Sequence, residues 1–135
     1  MSSIFTKIIA GLEPAHKVWE GQSFIAILDT MPVNAGHLLV IPHEEVEYIF
    51  DLHEARYNEL WSLVRFLSTP LKLACSAPKI AVAVEGFGVP HIHIHMVPVY
   101  KAGELNPERA TTAKPNDLAK MCQRIRKQIH MQDKK

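Results

Sequence analysis

The segment His91-Ile92-His93-Ile94-His95-Met96-Val97 alternates histidines with apolar residues. Period-two alternation is typical of a β-strand, on which the three histidines point to one face and Ile92, Ile94 and Met96 to the other. At a rise of about 3.3 Å per residue, neighbouring histidines lie about 6.6 Å apart and the outer two about 13 Å apart. Because imidazole is expensive to desolvate, three on one face indicate a reactive row rather than packing.

The spacing of this row leaves two kinds of chemistry open. A single metal ion, with ligand bonds of about 2 Å, is within reach of two adjacent histidines but hardly of all three. An extended phosphate chain with its leaving group can contact several. Imidazole is also a nucleophile when neutral and a proton donor when charged, so a row divides these roles. A metal-dependent hydrolase that uses two of the three with His37 stays an alternative.

Outward from this row, the chain predicts an α+β fold. Three short strands precede it, separated by turn residues, which favours an antiparallel meander. Residues 52–74 change to the three- and four-residue spacing of a helix, which we expect Pro70 to kink or to split after Thr69. A second helix starts at Pro115. The prediction is two main helices and about five strands, at 16–20, 23–28, 37–41, 79–84 and 91–100.

Length and composition fit a globular protein. The 135 residues predict a single domain, 1–135, with its core at 3–100 and a basic C-terminal segment and helix at 101–135. No apolar run approaches the about 18 residues of a membrane helix. The first residues lack the apolar core of a secretory signal. The two cysteines, Cys75 and Cys122, form no CxxC pair and no disulfide framework. From these observations together we expect a cytoplasmic location without a membrane partner.

A net charge of +1 conceals an asymmetry along the chain. Residues 1–100 have a balance of −4, and residues 101–135 have a balance of +5. A basic end attracts phosphates, although a solvated helix face is the more ordinary interpretation. Beyond residue 99 the only aromatic residue is Tyr100, so the segment lacks the side chains that stack on bases. Nucleic acid is therefore not an expected partner.

Three blocks of the sequence resemble one family. Residues 91–97 are similar to the His-φ-His-φ-His-φ-φ motif of the HIT family of nucleotide hydrolases and transferases, where φ is apolar. Residues 4–18 are similar to the family's N-terminal stretch, and residues 27–42 to its nucleotide-pocket strands. The blocks follow the family order over residues 3–100. The resemblance implies a HIT-like fold, a hydrolase that needs no cofactor, and a homodimer whose subunits join strands into one sheet.

The same resemblance implies a mechanism and its catalytic residues. His93 attacks the α-phosphorus of a purine nucleoside phosphoramidate or dinucleoside polyphosphate and forms a covalent nucleotidyl-histidine, which water hydrolyses. Splitting one displacement into two easier steps is the advantage of such an intermediate. His91 and His95 are assigned to phosphate contact and orientation, and His37 completes the histidine cluster.

The resemblance also implies the residues that bind the nucleotide. Asp29 matches the acidic residue that accepts hydrogen bonds from the ribose hydroxyls. Backbone N–H groups of Gly88 and Val89 are candidate donors to the phosphate. The other expected binding residues are Leu28, Thr30 and Ile8, which form an apolar slot for the base, and Asn34.

Two departures from the family pattern affect these expectations. Many bacterial relatives hold a structural zinc ion with an N-terminal Cys-x-x-Cys and a later histidine, whereas this chain has Ser3, Thr6 and Glu45 there. Because serine and threonine are not competent zinc ligands, we predict no structural zinc. The loop at 84–90 is shorter than in many relatives and has no Asn, Gln or Ser, which puts leaving-group specificity in doubt. It also keeps open a nucleotide-binding regulatory module with weak or no catalysis.

Overall fold

The computed structural model describes residues 2–133 of the chain. Two short 3-10 turns, Ile49–Asp51 and Pro107–Arg109, lie in its loops. Among the described residues, no helix is both long and apolar enough to span a membrane. The main elements are α1 (Ile4–Ile9), β1 (Lys17–Glu20), β2 (Phe24–Leu28), β3 (Leu38–Pro42), α2 (Glu54–Cys75), β4 (Lys79–Ala83), β5 (Ile94–Val99) and α3 (Pro115–Asp133).

The strands form one antiparallel sheet in the order β1-β2-β3-β5-β4. The predicted meander of the first three strands is therefore confirmed, as is the α+β class with five strands. The strand that carries the end of the histidine row lies between β3 and β4. His95 pairs with Leu39 on one side and with Ala83 on the other. This central position gives His95 a rigid backbone.

The two faces of the sheet are covered differently. One face packs on α2 and α3 through the larger core, which includes Leu38, Val40 and Ile94. The other face is covered by the short helix α1, whose Phe5 and Ile8 pack on a smaller cluster with Ile25, Ile27, Leu39 and Ile41. Because directly opposed residues of an antiparallel pair share a face, His95 lies on the α1 side with Leu39.

The predicted split of the helix at Pro70 is wrong, because α2 runs unbroken through it. A proline lacks the N–H that would bond to the carbonyl four residues earlier, here that of Phe66. The side-chain amide of Gln132 on α3 donates to that carbonyl over 3.0 Å. The helix ends instead at Ser76, whose φ of +49° is left-handed. Packing against α3 therefore supplies the hydrogen bond that Pro70 cannot.

The predicted strand over residues 91–100 is corrected at its start, because β5 begins at Ile94. His91 lies in a turn in which its N–H donates to the Val89 carbonyl. The carbonyl of Pro42, at the end of β3, accepts from the ring Nε2–H of His91 and not from a neighbouring strand. His91 and His93 therefore lie outside the strand ladder and are held by side-chain contacts and by loop backbone bonds, whereas His95 is held by the sheet.

Candidate active site

The ring of His93 is fixed by the backbone of the row itself. Its Nδ1 lies 2.7 Å from the carbonyl oxygen of His91. A carbonyl only accepts hydrogen bonds, so Nδ1 carries the proton and donates it, and Nε2 of the neutral ring keeps its lone pair. Phe5 packs edge-on against His93, with the ring centroids 5.0 Å apart. The site therefore holds one histidine whose tautomer suits nucleophilic attack through Nε2.

A chain of hydrogen bonds sets the tautomer of His95. The backbone N–H of Val33 donates to Nδ1 of His37 over 3.0 Å, so the proton of a neutral His37 is on Nε2. That nitrogen donates to Nδ1 of His95 over 2.9 Å. A neutral His95 then carries its proton on Nε2. We call Val33, His37 and His95 the histidine relay.

The relay histidines are held in their neutral forms. Burial lowers the pKa of His95 to about 4, and the neighbouring rings of His37 and His93 act in the same direction. Burial also lowers the pKa of His37, against the carboxylate of Asp29, which raises it. At neutral pH the relay therefore offers a hydrogen-bond donor without a full positive charge.

His91 has no solvent-accessible surface, and both of its ring nitrogens are engaged. Nε2 donates to the Pro42 carbonyl over 2.8 Å, and Nδ1 lies 2.6 Å from the hydroxyl of Ser3. Burial lowers the pKa of this ring, so Nδ1 is an acceptor and the Ser3 hydroxyl donates to it. Of the two roles expected for His91, orientation is the one that this geometry favours.

The structure tests whether a structural zinc ion fits at the N-terminus. Ser3, Thr6, Glu45 and His91 do come together, but as donors and acceptors to one another. Glu45 Oε1 accepts from the Ser3 N–H and from the Thr6 hydroxyl over 2.5 and 2.8 Å. Hydroxyl oxygens are poor zinc ligands, and the hydrogen bond from the Ser3 hydroxyl occupies the His91 nitrogen that zinc would need. These residues do not fit zinc.

A second group of side chains has the composition of a metal site. Ligand atoms of Asp29, His37 and His95 lie within 4.8 Å of one another. If a neutral His37 bound a metal through Nε2, its proton would lie on Nδ1. That proton would face the N–H of Val33. The hydrogen bond from Val33 therefore disfavours this group as a metal centre and favours the histidine relay.

A cavity of about 390 Å³ joins most of the residues expected to bind a nucleotide. Asp29 lies at its edge, half-buried, and its Oδ1 accepts from the Met31 N–H while Oδ2 is 3.7 Å from His37 Nε2. Expected residues in the lining are Ile8, Leu28, Asp29, Thr30, Val89, His93 and His95, joined by Ile4, Phe5, Glu13, Pro14, Ala15, Ile27 and Leu39.

Two expected binding residues, Gly88 and Asn34, do not line this cavity. Gly88 is exposed and does not line it. The side chain of Asn34 instead donates to the Pro98 carbonyl over 2.8 Å and accepts from Arg109 over 2.7 Å. Asn34 therefore fixes the loop before His37 to β5 and to the 107–109 turn.

Sequence reasoning missed contributors to the site that carry no chemical signature. Phe5 packs on both His91 and His93 although it reads as an ordinary apolar residue of α1. Val33 acts through its backbone N–H, a group that every residue except proline has. The continuous apolar runs of β2 and β3 indicate buried strands, but they do not distinguish Ile27 and Leu39 from their neighbours.

The chain is similar to known proteins in both sequence and structure. A family model described as "HIT domain" matches residues 11–102. The chain is 29% identical to the protein named "Protein hit" of Bacillus subtilis, over 93% of both chains. It is 30% identical to an adenosine 5'-monophosphoramidase of Schizosaccharomyces pombe, over 73% of this chain and 74% of that one. The crystal structure of a Hit-like protein from Bartonella henselae has a TM-score of 0.86 and 27% identity, and the match covers 94% and 96% of the two chains.

Proposed function

Because this chain belongs to the HIT domain family, a family of nucleotide-binding hydrolases and transferases, we propose that it cleaves purine nucleotides at the α-phosphate. The substrate class is a nucleoside phosphoramidate or a dinucleoside polyphosphate. The observation that carries this proposal is the hydrogen bond from His93 Nδ1 to the His91 carbonyl, in a ring that lines the cavity. A buried histidine with a fixed Nδ1–H presents Nε2 to the cavity as a nucleophile.

His93 reacts in two steps. In the first, Nε2 forms a bond to the α-phosphorus while the bond from phosphorus to the leaving group breaks. The leaving group keeps that electron pair and takes a proton from solvent. In the second step water displaces Nε2 from phosphorus and gives up a proton to solvent, which releases the nucleoside monophosphate and restores neutral His93. The carbonyl of His91 accepts the Nδ1–H throughout and stabilises the positive charge that the ring gains as it is nucleotidylated.

The histidine relay supplies a donor to the reacting phosphoryl group. Because His95 is neutral and its Nδ1 is occupied by His37, its Nε2–H is the proton that it can offer. Catalysis of phosphoryl transfer depends mainly on positioned donors around the equatorial oxygens. We therefore assign to His95 a hydrogen bond to a non-bridging oxygen, and to His37 the fixing of its tautomer.

The nucleoside occupies the cavity of about 390 Å³. That volume lies within the about 300–1,000 Å³ that is common for small-molecule sites. Its apolar lining, from Ile8, Leu28 and Leu39, suits a purine base, and the Asp29 carboxylate at its edge suits the ribose hydroxyls. Thr30 and Val89 complete the binding residues that we propose.

The covalent intermediate gives the direct test. Adenosine 5'-phosphoramidate is mixed with the protein, the reaction is stopped within milliseconds to seconds, and the intact mass is measured. We expect an adenylate adduct on the wild type and on the control His130→Ala, whose side chain is exposed on α3. His93→Ala should form no adduct and release no AMP. Unchanged AMP release by His93→Ala would refute the mechanism.

A nucleotide-binding module without catalysis is the second candidate. The loop before the histidine row favours it, because Val89 is its one residue in the cavity lining, where a catalytic loop would offer more donors. AMP binding without any turnover of the phosphoramidate would support this candidate. Treatment with a chelator distinguishes these two candidates from a metal-dependent hydrolase. The proposed mechanism keeps its full rate in EDTA, whereas a metal-dependent hydrolase would lose activity.

We also propose that the domain covers residues 1–135, resides in the cytoplasm and forms a homodimer. The support for the dimer is β4, an edge strand of five residues whose Val82 is 39% exposed. An open edge strand is a template for pairing with a second copy. Light scattering on the protein as it elutes from a size-exclusion column should give twice the mass of one chain. A monomer at micromolar concentration would refute the dimer.

A further inference from the structure

Three side chains near the N-terminus form a polar network between distant parts of the chain. Ser3 is the N-cap of α1, where its hydroxyl accepts from the Thr6 N–H over 3.1 Å. The Ser3 N–H and the Thr6 hydroxyl both donate to one oxygen of Glu45, in the loop after β3. These bonds lower the pKa of the Glu45 carboxyl, the bond from the Ser3 N–H most of all. We call Ser3, Thr6 and Glu45 the N-terminal clamp.

The clamp reaches the histidine row at Nδ1 of His91, where the Ser3 hydroxyl is the closer partner and the Thr6 hydroxyl lies 3.5 Å away. The Ser3 hydroxyl donates to His91 Nδ1 over 2.6 Å, across 88 positions of sequence. His91 is completely buried, so its ring has no solvent to replace a lost partner. Phe5, two residues after Ser3, packs on the rings of both His91 and His93. The position of α1 is thus tied to the position of His91.

His91 in turn holds His93, and the sheet does not hold His91. β5 begins only at Ile94, so no ladder hydrogen bond involves the carbonyl of His91, which accepts from His93 Nδ1 instead. The residue is located by its N–H to Val89, its Nε2–H to Pro42 and its Nδ1 to Ser3, and its peptide link to Ile92 by the Ile92 N–H, which donates to the Val46 carbonyl. If the Ser3 hydroxyl is removed, the buried ring of His91 loses its closest donor and shifts, and we expect the His91 carbonyl to shift with it.

We propose that the N-terminal clamp positions the nucleophile: Ser3 holds the ring of His91 so that the His91 carbonyl keeps the Nδ1–H tautomer of His93. This inference rests on the proposed function of His93. Ser3 touches no reacting atom, so it is a positioning residue. Thr6 and Glu45 act one step further away, since they fix the backbone and the hydroxyl environment of Ser3. The N-terminal helix thereby becomes part of the catalytic machinery.

Substitutions at Ser3 test the clamp. Ser3→Ala removes the hydroxyl, Ser3→Thr keeps it, and Ser2→Ala, at the exposed neighbouring position, is the matched control. We expect Ser3→Ala to slow single-turnover adenylation of His93 about 10-fold. This is less than the about 100-fold loss that a misplacement of 1 Å causes, because we expect a smaller shift. The Kd for AMP should change less than about twofold, because the cavity lining is untouched. Ser3→Thr and Ser2→Ala should keep the wild-type rate.

The tautomer of His93 gives a readout that does not depend on turnover. Long-range proton–nitrogen NMR spectra of the nucleotide-free protein distinguish Nδ1–H from Nε2–H histidines. The wild type should show His93 as Nδ1–H, and Ser3→Ala should show a mixture of both forms. A merely structural loss of the helix cap would lower the melting temperature and leave this signature unchanged. If Ser3→Ala does not fold, Ser3→Gly replaces it, because glycine is tolerated at an N-cap.

These measurements separate failure of the clamp from failure of the proposed function. A Ser3→Ala protein with the wild-type adenylation rate and an unmixed Nδ1–H signal overturns the clamp while leaving the nucleophile intact. A wild type that forms no adduct overturns the proposed function, and the NMR spectra still test the clamp. A mixture of His93 tautomers in Ser3→Ala supports the N-terminal clamp, and an unchanged spectrum contradicts it.

Discussion

His37 Nε2 lies 2.9 Å from His95 Nδ1 and donates its proton to it. The direction of this bond follows from Val33, whose N–H occupies the other nitrogen of His37. His37 immediately precedes β3, and His95 lies on the neighbouring strand β5. The bond therefore connects two adjacent strands and leaves the proton of His95 on the nitrogen that is free to contact a phosphate.

Substitutions of His37 should separate the effect of its donated hydrogen bond from the effect of its side-chain volume. His37→Leu removes the donor and leaves His95 free to change tautomer, and we expect kcat to fall about 100-fold, the low end of what proton-handling groups contribute. His37→Gln retains an amide N–H near the position of Nε2 and should lose less. Steady-state release of AMP measures both variants. Equal losses in His37→Leu and His37→Gln would contradict a role for the donated bond.

Asp29 should discriminate nucleotides by their ribose. Its Oδ1 is already held by the Met31 N–H, which fixes the carboxylate at the edge of the cavity. A charge-assisted hydrogen bond contributes about 1.5 kcal/mol, so Asp29→Asn should weaken AMP binding about 10-fold. The same substitution should leave 2',3'-dideoxy-AMP nearly unaffected. Calorimetric titration of both ligands measures this, and equal losses would exclude contact between Asp29 and the ribose.

Three histidines, the buried His37 and His91 and the half-buried His95, should make the fold sensitive to mild acid. The pKa of His95 falls from 6.5 to about 4 on folding, and those of His37 and His91 are lowered as well. Between these values the unfolded chain binds more protons than the folded one, so stability rises with pH there. The free energy of unfolding should therefore decrease as the pH is lowered from 6.5 towards 4.

Urea denaturation between pH 6.5 and 5 measures this dependence. His95→Gln removes one of the three histidines whose pKa is lowered and should give a shallower decrease than the wild type. His130→Gln, on the exposed side of α3, is the control. A wild-type stability that stays constant over this range would show that the three rings are not kept neutral by the fold.

Much of the fold could be read from local sequence, because its signals repeat along the chain. The apolar stripe of α3 and the three-strand meander are such signals, and both are present. The effect of Pro70 is not predictable from local sequence, because its missing hydrogen bond is compensated by Gln132, 62 positions later. The start of β5 was also misjudged, since alternation alone does not show that the carbonyl of Pro42 is taken by a side chain.

The candidate site was only partly predictable for a related reason. The histidine row and Asp29 stand out because their side chains carry chemistry wherever they lie. The relay depends on a backbone N–H at Val33, and the clamp depends on Ser3 meeting His91. A hydroxyl at position 3 is a common residue type, and only the fold gives it a buried partner. Sequence therefore identified Ser3, Thr6 and Glu45 as missing zinc ligands but not as a connected network.

The N-terminal clamp should be convertible into a zinc site. The arrangement of His91 already suits a zinc ligand, because Nε2–H donates to the Pro42 carbonyl and Nδ1 faces Ser3 and Thr6 at 2.6 and 3.5 Å. Ser3→Cys, Thr6→Cys and Glu45→His together would surround one point with two thiolates and two imidazoles, a set that binds zinc tetrahedrally. Metal binding contributes to folding free energy, so the triple variant should retain one zinc ion per chain and melt at a lower temperature after chelation. The Ser3→Cys, Thr6→Cys double variant, which keeps Glu45, should bind zinc more weakly.

Because zinc would hold His91 where Ser3 does, the triple variant should adenylate His93 faster than Ser3→Ala. A triple variant that elutes from desalting without zinc would show that these four side chains do not converge as described.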